Sequence, residues 1–187
     1  MKALTPTAVA AALLLSACGG TANLYSVPAP TTTEHITIGF RTVEVRDVSL
    51  PEYAAADTIA IQGANGVVVA DDDIRWADLP ERAVSLELTR HLTRLSGAQV
   101  ASEPWPFESY PDATVEVRFE TLLAGADGVF RGSGQYFVSS EDGRRDHAHL
   151  FDLTVPYPLD GGPNAIATAR GQLILNLARD IALTGLR

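Results

Sequence analysis

A single cysteine, Cys18, stands directly behind a short apolar run, and the chain has no other. A lone thiol closes no internal disulfide, so whatever this chain folds into is held by its hydrophobic core. The surroundings of Cys18 say what the thiol is for. Met1-Lys2 forms a short positive start, Ala8 to Leu15 is apolar, and Leu15-Ser16-Ala17-Cys18 closes the run. That run falls short of the roughly 20 apolar residues that span a bilayer. It has the form of a signal-peptide core followed by small residues at a cleavage site. Leu-Ser-Ala-Cys is the lipobox pattern of bacterial lipoproteins. Small Ser16 and Ala17 let a peptidase reach the backbone, and the Cys18 thiol is the nucleophile for lipid transfer. We expect residues 1–17 to be a signal peptide, cleaved after Ala17. Cys18 should then carry a diacylglycerol on sulfur and an acyl chain on its freed amine. Two or more chains make such an anchor stable. Gly19 at the next position favours the outer membrane, on its periplasmic face.

Removing residues 1–17 leaves enough chain for one domain with a real core. It also removes Lys2, the only lysine, and so takes the net charge from −9 to −10. An acidic domain whose cations are all arginine is poorly suited to nucleic acid, where phosphate neutralisation drives binding. It is equally unsuited to a polybasic membrane-docking surface.

Residues 18–34 are mostly small and polar, with Pro28, Pro30 and the run Thr31-Thr32-Thr33, and read as a flexible tether. The domain is expected over 35–187. Ile36 to Val45 alternates, but Val43 and Val45 fall out of parity with Ile36, Ile38 and Phe40, which predicts a bulge near Arg41. Asp57 to Gln62 and Gly66 to Ala70 read as a hairpin about Gly63-Ala64-Asn65-Gly66. Asp78 is the expected cap of a helix with Pro80 and Glu81 in its first turn. Its apolar face is Leu79, Ala83, Leu86, Leu88, Leu92 and Leu95, and Gly97 is its stop.

Gln99 to Ala101 is a short strand candidate. Val115, Val117 and Phe119 alternate with Glu116, Arg118 and Glu120, the signature of a half-exposed strand over 114–122. Strands over 129–139 and 147–155 continue the meander through Glu141-Asp142-Gly143. A second helix over 164–183 opens behind Pro163 and buries Ile166, Leu173, Leu177 and Ile181. Without the candidate at Gln99 the order is β-β-β-α-β-β-β-α. The prediction is an α+β domain of two layers, two main helices on one face of a mostly antiparallel or mixed sheet.

Nothing in the sequence assembles a catalytic site. There is no nucleophile elbow, phosphate-binding loop or HExxH helix. Ser133 stands between two glycines in a strand pattern, and no two carboxylates are placed for acid–base work. His147 and His149 share a strand face without a matched third ligand, so a solvated face is expected there and no metal site. Asp71-Asp72-Asp73 lacks the spacing and glycine of a calcium loop and reads as a solvated turn. Trp76 and Trp105 stand at opposite ends of the first helix. Each suits either a partner contact, where tryptophan is enriched, or packing over the helix end. No cofactor is expected beyond the lipid on Cys18.

Several stretches together resemble one family. They are Leu24-Tyr25-Ser26-Val27-Pro28, the run from Val45 into Leu50-Pro51-Glu52-Tyr53, Arg75-Trp76-Ala77-Asp78-Leu79-Pro80, and Glu103-Pro104-Trp105-Pro106. With the terminal Ala/Leu-rich helix, they resemble the ABC-type transport auxiliary lipoproteins, the PqiC-like family of paraquat-inducible protein C. The resemblance implies a non-enzymatic accessory subunit of an MCE-type lipid transport system between the two membranes. Its partners would be an MCE-domain protein and the associated transporter subunits, with self-association into a ring as a further implication. On that reading Tyr53, Trp76 and Trp105 are either partner or core contacts. Two other readings stay open: a periplasmic module that itself holds a lipid or small ligand, which needs an apolar cavity, and a structural envelope lipoprotein without a transport role.

Overall fold

The computed structural model describes residues 22–187. One strand organises them. Strand β6 (Ala113–Gly125) carries the alternation of Val115, Val117 and Phe119, all buried, against Glu116, Arg118 and Glu120 on the wet face. One edge of β6 pairs antiparallel with β7 (Val129–Ser140) along almost its whole length, and β7 pairs antiparallel with β8 (His147–Pro156). The other edge of β6 is shared. At its start β2 (Thr42–Val45) lies parallel, with Val43 beside Ala113 and Val45 beside Val115. At its end β3 (Thr58–Gln62) lies parallel, with Ile61 beside Ala124. A single bridge from Ser49 to Arg118 fills the gap. Outside β2 lies β5 (Gln99–Ser102), parallel to it; outside β3 comes β4 (Val68–Trp76), antiparallel; and outside β4 runs β1 (Asn23–Tyr25), parallel. The sheet is therefore mixed, with eight strands.

The second layer is helical. A four-residue turn of helix, α1 (Glu52–Ala55), precedes the two long helices α2 (Pro80–Ser96) and α3 (Gly162–Asp180). Both long helices pack against each other and close over one continuous core. Val84, Leu88, Leu92 and Leu95 from α2 and Ile166, Leu173, Leu177 and Ile181 from the α3 end meet Val43, Val45 and the β6 valines there. Each large aliphatic side chain withdrawn from water contributes roughly 1.5–3 kcal/mol, which is how the fold does without a cross-link. Helix α2 ends at Gly97, whose φ of 68° is a left-handed C-cap that a side chain would strain. Helix α3 passes into a wider turn over Ile181–Gly185. None of the helices described is long and apolar enough to cross a membrane.

The sheet departs from the sequence expectation in identifiable places. Ile36 to Arg41 is not strand. Ile36 and Phe40 are buried, but the backbone amides of Ile36 and Gly39 donate to the carbonyls of Leu95 and Leu186, at the ends of the helical segments. Those orphan carbonyls recruit the segment away from the sheet. The parity change near Arg41 is thus the strand's beginning, not a bulge. The Asp112 carboxylate accepts from the amides of Arg41 and Thr42 at 2.8 and 3.0 Å and fixes that start.

The hairpin turn at Gly63–Gly66 forms as expected, but its second strand runs on to Trp76 and takes in the acidic run. Asp71-Asp72-Asp73 is a bulge rather than a turn: between the pairs Ala60–Ala70 and Thr58–Arg75, Ile59 alone faces four residues of β4. The predicted helix cap is also replaced. Leu79 occupies the cap position, while Asp78 accepts from the Leu79 amide and pairs with Arg82. Leu79 is 65% exposed, and Leu86 is only half-buried.

Part of the tether expected over 18–34 belongs to the domain. Asn23–Tyr25 adds β1 to the sheet, and the following residues lie across α3 as a strap. A β-carbon on Gly171 would stand 2.7 Å from the Pro28 carbonyl and 3.0 Å from Val27 Cγ1, so only glycine lets the strap lie so close. At its far end Arg179 Nε donates to Glu34 Oε2 at 2.6 Å.

Candidate functional site

Cys18 and Ala17 lie outside the described residues. The other three candidate residues are placed apart. Tyr53, in α1, and Trp76, at the end of β4, are partly buried and packed on the core. Trp105 is not part of the core. It stands in the loop after β5, edge-on to Phe107 with ring centroids 4.9 Å apart, and its indole N–H donates to the Ser109 carbonyl at 2.6 Å. Phe107 is 43% and Tyr110 83% exposed. This aromatic loop borders a surface hollow beside Glu44 and Thr114, at the start of β6.

Trp76 has a more unusual neighbourhood. The Arg170 guanidinium lies 4.5 Å from its ring centroid, a cation–π contact. Nη2 of the same arginine donates to Glu87 Oε1 at 3.1 Å, and both side chains are buried. Burial, the largest influence on each, pushes the Glu87 carboxyl up and the Arg170 guanidinium down, and their mutual attraction opposes both shifts. Glu87 Oε2 and Arg170 Nε have no protein partner. The pair opens toward a small hollow of about 190 Å³ between Tyr25, Trp76, Asp78 and Arg90. The Tyr25 carbonyl accepts from the Ala77 amide at 2.9 Å, so strap, sheet edge and both helices meet at this one joint. Nearby on α2, His91 is wholly buried with neither ring nitrogen bonded. Burial, then Arg90 and Arg94, lower its pKa to about 4. This joint holds no nucleophile paired with a base; its chemistry is that of a polar clasp.

A second hollow is apolar. Ile59, Ile61 and Ile74 from the sheet, Val69 at the start of β4, and Leu159 and Ile166 at the entry to α3 line a surface groove of about 490 Å³. Val67 and Val69 beside it are 52% and 57% exposed, and Leu159 is 62% exposed. The domain interior between sheet and helices is filled by core side chains, so a bound apolar molecule would sit in this groove and not inside the domain.

His147 and His149 do share a strand side, but it is the side of Phe151 and Val155, toward the core. His149 stacks on the buried Tyr136 ring at 5.2 Å. The expected solvated face is therefore corrected for His149. Among the described residues no three metal-ligating side chains gather.

Glu87, His91 and Arg170 escape a search for apolar periodicity because they are polar residues at core spacing. Glu87 and His91 fall between Val84 and Leu95 at helical intervals, and Arg170 lies four residues after Ile166 and three before Leu173. The spacing was the available signal.

A family model described as "ABC-type transport auxiliary lipoprotein component" matches residues 24–182. No curated protein sequence matches. Among solved structures, the fold is similar to an uncharacterized protein at 21% identity and a TM-score of 0.65, covering 87% of this chain and 99% of that one. It is also similar to a Xanthomonas campestris protein of the DUF330 family, at 14% identity and a TM-score of 0.68, covering 88% and 95%. PelC of Paraburkholderia phytofirmans, crystallised as a dodecamer, aligns more loosely, at 13% identity and a TM-score of 0.47, covering 83% and 96%.

Proposed function

Because the chain belongs to the ABC-type transport auxiliary lipoprotein component family, we propose that it is the lipid-anchored accessory subunit of an MCE-type lipid transport system. In this reading Cys18, freed by cleavage after Ala17, carries the lipid. The domain stands on the periplasmic face of the outer membrane and works by docking, not catalysis. The observation that carries the proposal is the span of the family match: it begins within β1 and ends in the turn after α3, taking in both the strap and the helices that clamp it. The family's unit is therefore the whole folded domain with its N-terminal strap.

In this reading the partner contact lies at the aromatic loop. Trp105, Phe107 and Tyr110 present rigid, amphipathic surface outside the core, the composition that dominates protein–protein contacts. An MCE-domain protein is the expected partner, and self-association into a ring belongs to the same proposal.

The test is a pull-down of the lipidated protein from gently solubilised envelopes, with mass spectrometry of what accompanies it. An MCE-domain protein or its ABC transporter subunits should be enriched, and Trp105→Ala should deplete them while the protein stays folded. Recovery of unrelated envelope proteins alone would end the transport reading and leave an anchored domain.

A further inference from the structure

The direction in which the chain enters the sheet fixes which end of the domain lies nearest its anchor. Strand β1 is parallel to β4, with Asn23 beside Ile74 and Tyr25 beside Trp76. Tracing back from Tyr25 to Asn23 therefore runs toward the start of β4, where Val68 and Val69 lie. Val69 pairs with Ile61, and Ile61 pairs with Ala124 near the end of β6. The chain thus comes in from the end of the sheet that holds the β3–β4 turn and the apolar groove. Trp105 and Tyr110 stand at the other end, beside Glu44 and Thr114. Between the two ends lies the length of β6, roughly 40 Å at about 3.3 Å per residue.

The leash is short. From Asn23 back to Cys18 there are five peptide steps, which span at most about 18 Å even when fully extended. A tether free to Glu34 would have allowed far more. A lipid on Cys18 therefore brings the bilayer within that distance of Asn23. The surface at this end is suited to it: Val67 and Val69 are more than half exposed, as is Leu159 across the groove, and Ile74, the neighbour of Asn23, lines the groove floor. Exposed apolar side chains gathered at one end of an otherwise acidic domain mark a contact surface.

We infer that the β3–β4 turn and the rim of the adjoining groove rest on the surface of the bilayer that carries the anchor, with the aromatic loop held away from it. The occupant of this surface is a lipid headgroup and glycerol layer. Asp71, which lines the groove, and the exposed Asp72 and Asp73 next to it repel an anionic surface and so favour zwitterionic over anionic lipid. The inference rests on the proposed attachment of lipid at Cys18.

Tryptophan quenching by brominated lipid tests it. The full lipidated protein is reconstituted in phosphatidylcholine vesicles whose acyl chains carry bromine, and a tryptophan is introduced by Val68→Trp or, as an independent variant in the turn, Val67→Trp. Tyr110→Trp is the control at the far end. Flotation with the vesicles and the intact mass report the lipid itself. The expected result is flotation, with added emission at 68 or 67 that is quenched and added emission at 110 that is not. Flotation with neither 67 nor 68 quenched, or with 110 quenched equally, overturns the inference and leaves the anchor reading standing. A chain that carries no lipid overturns both.

Discussion

Arg170 of α3 and Glu87 of α2 meet at 3.1 Å with only 2% and 6% of their surfaces exposed, and the arginine's guanidinium carbon lies over the Trp76 ring. Two charges taken from water lose several kcal/mol of hydration each, and their attraction returns that only while both are present. The expected outcome is therefore non-additive. Arg170→Met should cost about 3–5 kcal/mol, because it strands a buried carboxylate, and Glu87→Leu should cost a comparable amount. The double variant should be less destabilised than the sum. Urea denaturation of the four proteins measures the coupling, and additive losses would show that the pair does not act as a unit.

His91 predicts a pH dependence of stability. Its folded pKa lies near 4, below the ordinary 6.5, through burial first and the neighbouring Arg90 and Arg94 second. The folded state therefore binds its proton more weakly than the unfolded state. The group leaves stability untouched above about pH 6.5 and removes it as the pH falls toward 4. The loss accumulates at up to about 1.4 kcal/mol per pH unit and levels off below. His91→Leu should abolish that component, so the difference in stability between wild type and variant should change between pH 6.5 and 4 and be flat above. A flat difference throughout would show that His91 titrates normally.

The seat of the strap makes a third prediction. Gly171→Ala places a methyl against the Pro28 carbonyl and Val27. Alanine favours a helix interior over glycine by about 1 kcal/mol, which offsets part of the clash. Global stability should therefore move little, while the strap lifts. Hydrogen exchange should report it at the Ala77 amide, which bonds to the Tyr25 carbonyl. Unchanged protection there would show that the strap accommodates the methyl group.

What the sequence disclosed follows from which interactions are periodic. Strand β6 and helices α2 and α3 each bury one face over many residues, so Val115, Val117 and Phe119 or Ile166, Leu173 and Leu177 announce their side directly. Three residues of β1 are too few to show a period, and their partner, Ile74 to Trp76, lies some fifty positions on. That is why Asn23–Tyr25 looks like tether. Asp71–Asp73 reads as turn because charge is its only local signal, and the bulge that accommodates it is set by β3. The clasp of Glu87 and Arg170 joins two helices, so neither residue betrays the other. Trp76 and Trp105 looked equivalent by composition; one lies on the core under an arginine and the other in its own exposed loop.

The sharing of one β6 edge by β2 and β3 has a consequence in time. A chain that emerges from its N-terminus first presents β1 through β5 before β6, the shared partner of β2 and β3, exists. Strands β6, β7 and β8 need only short local turns to pair, and closing such turns is fast. The parallel pairings of Val43 with Ala113 and Ile61 with Ala124 must instead wait for residues some seventy and sixty positions later. Until β6 arrives, Val43, Val45 and Ile61 lack the central strand beside which they pack, and of the two long helices only α2 is at hand to cover part of them. The order of delivery, as much as the final geometry, makes this half of the chain the part that a holding chaperone would have to guard.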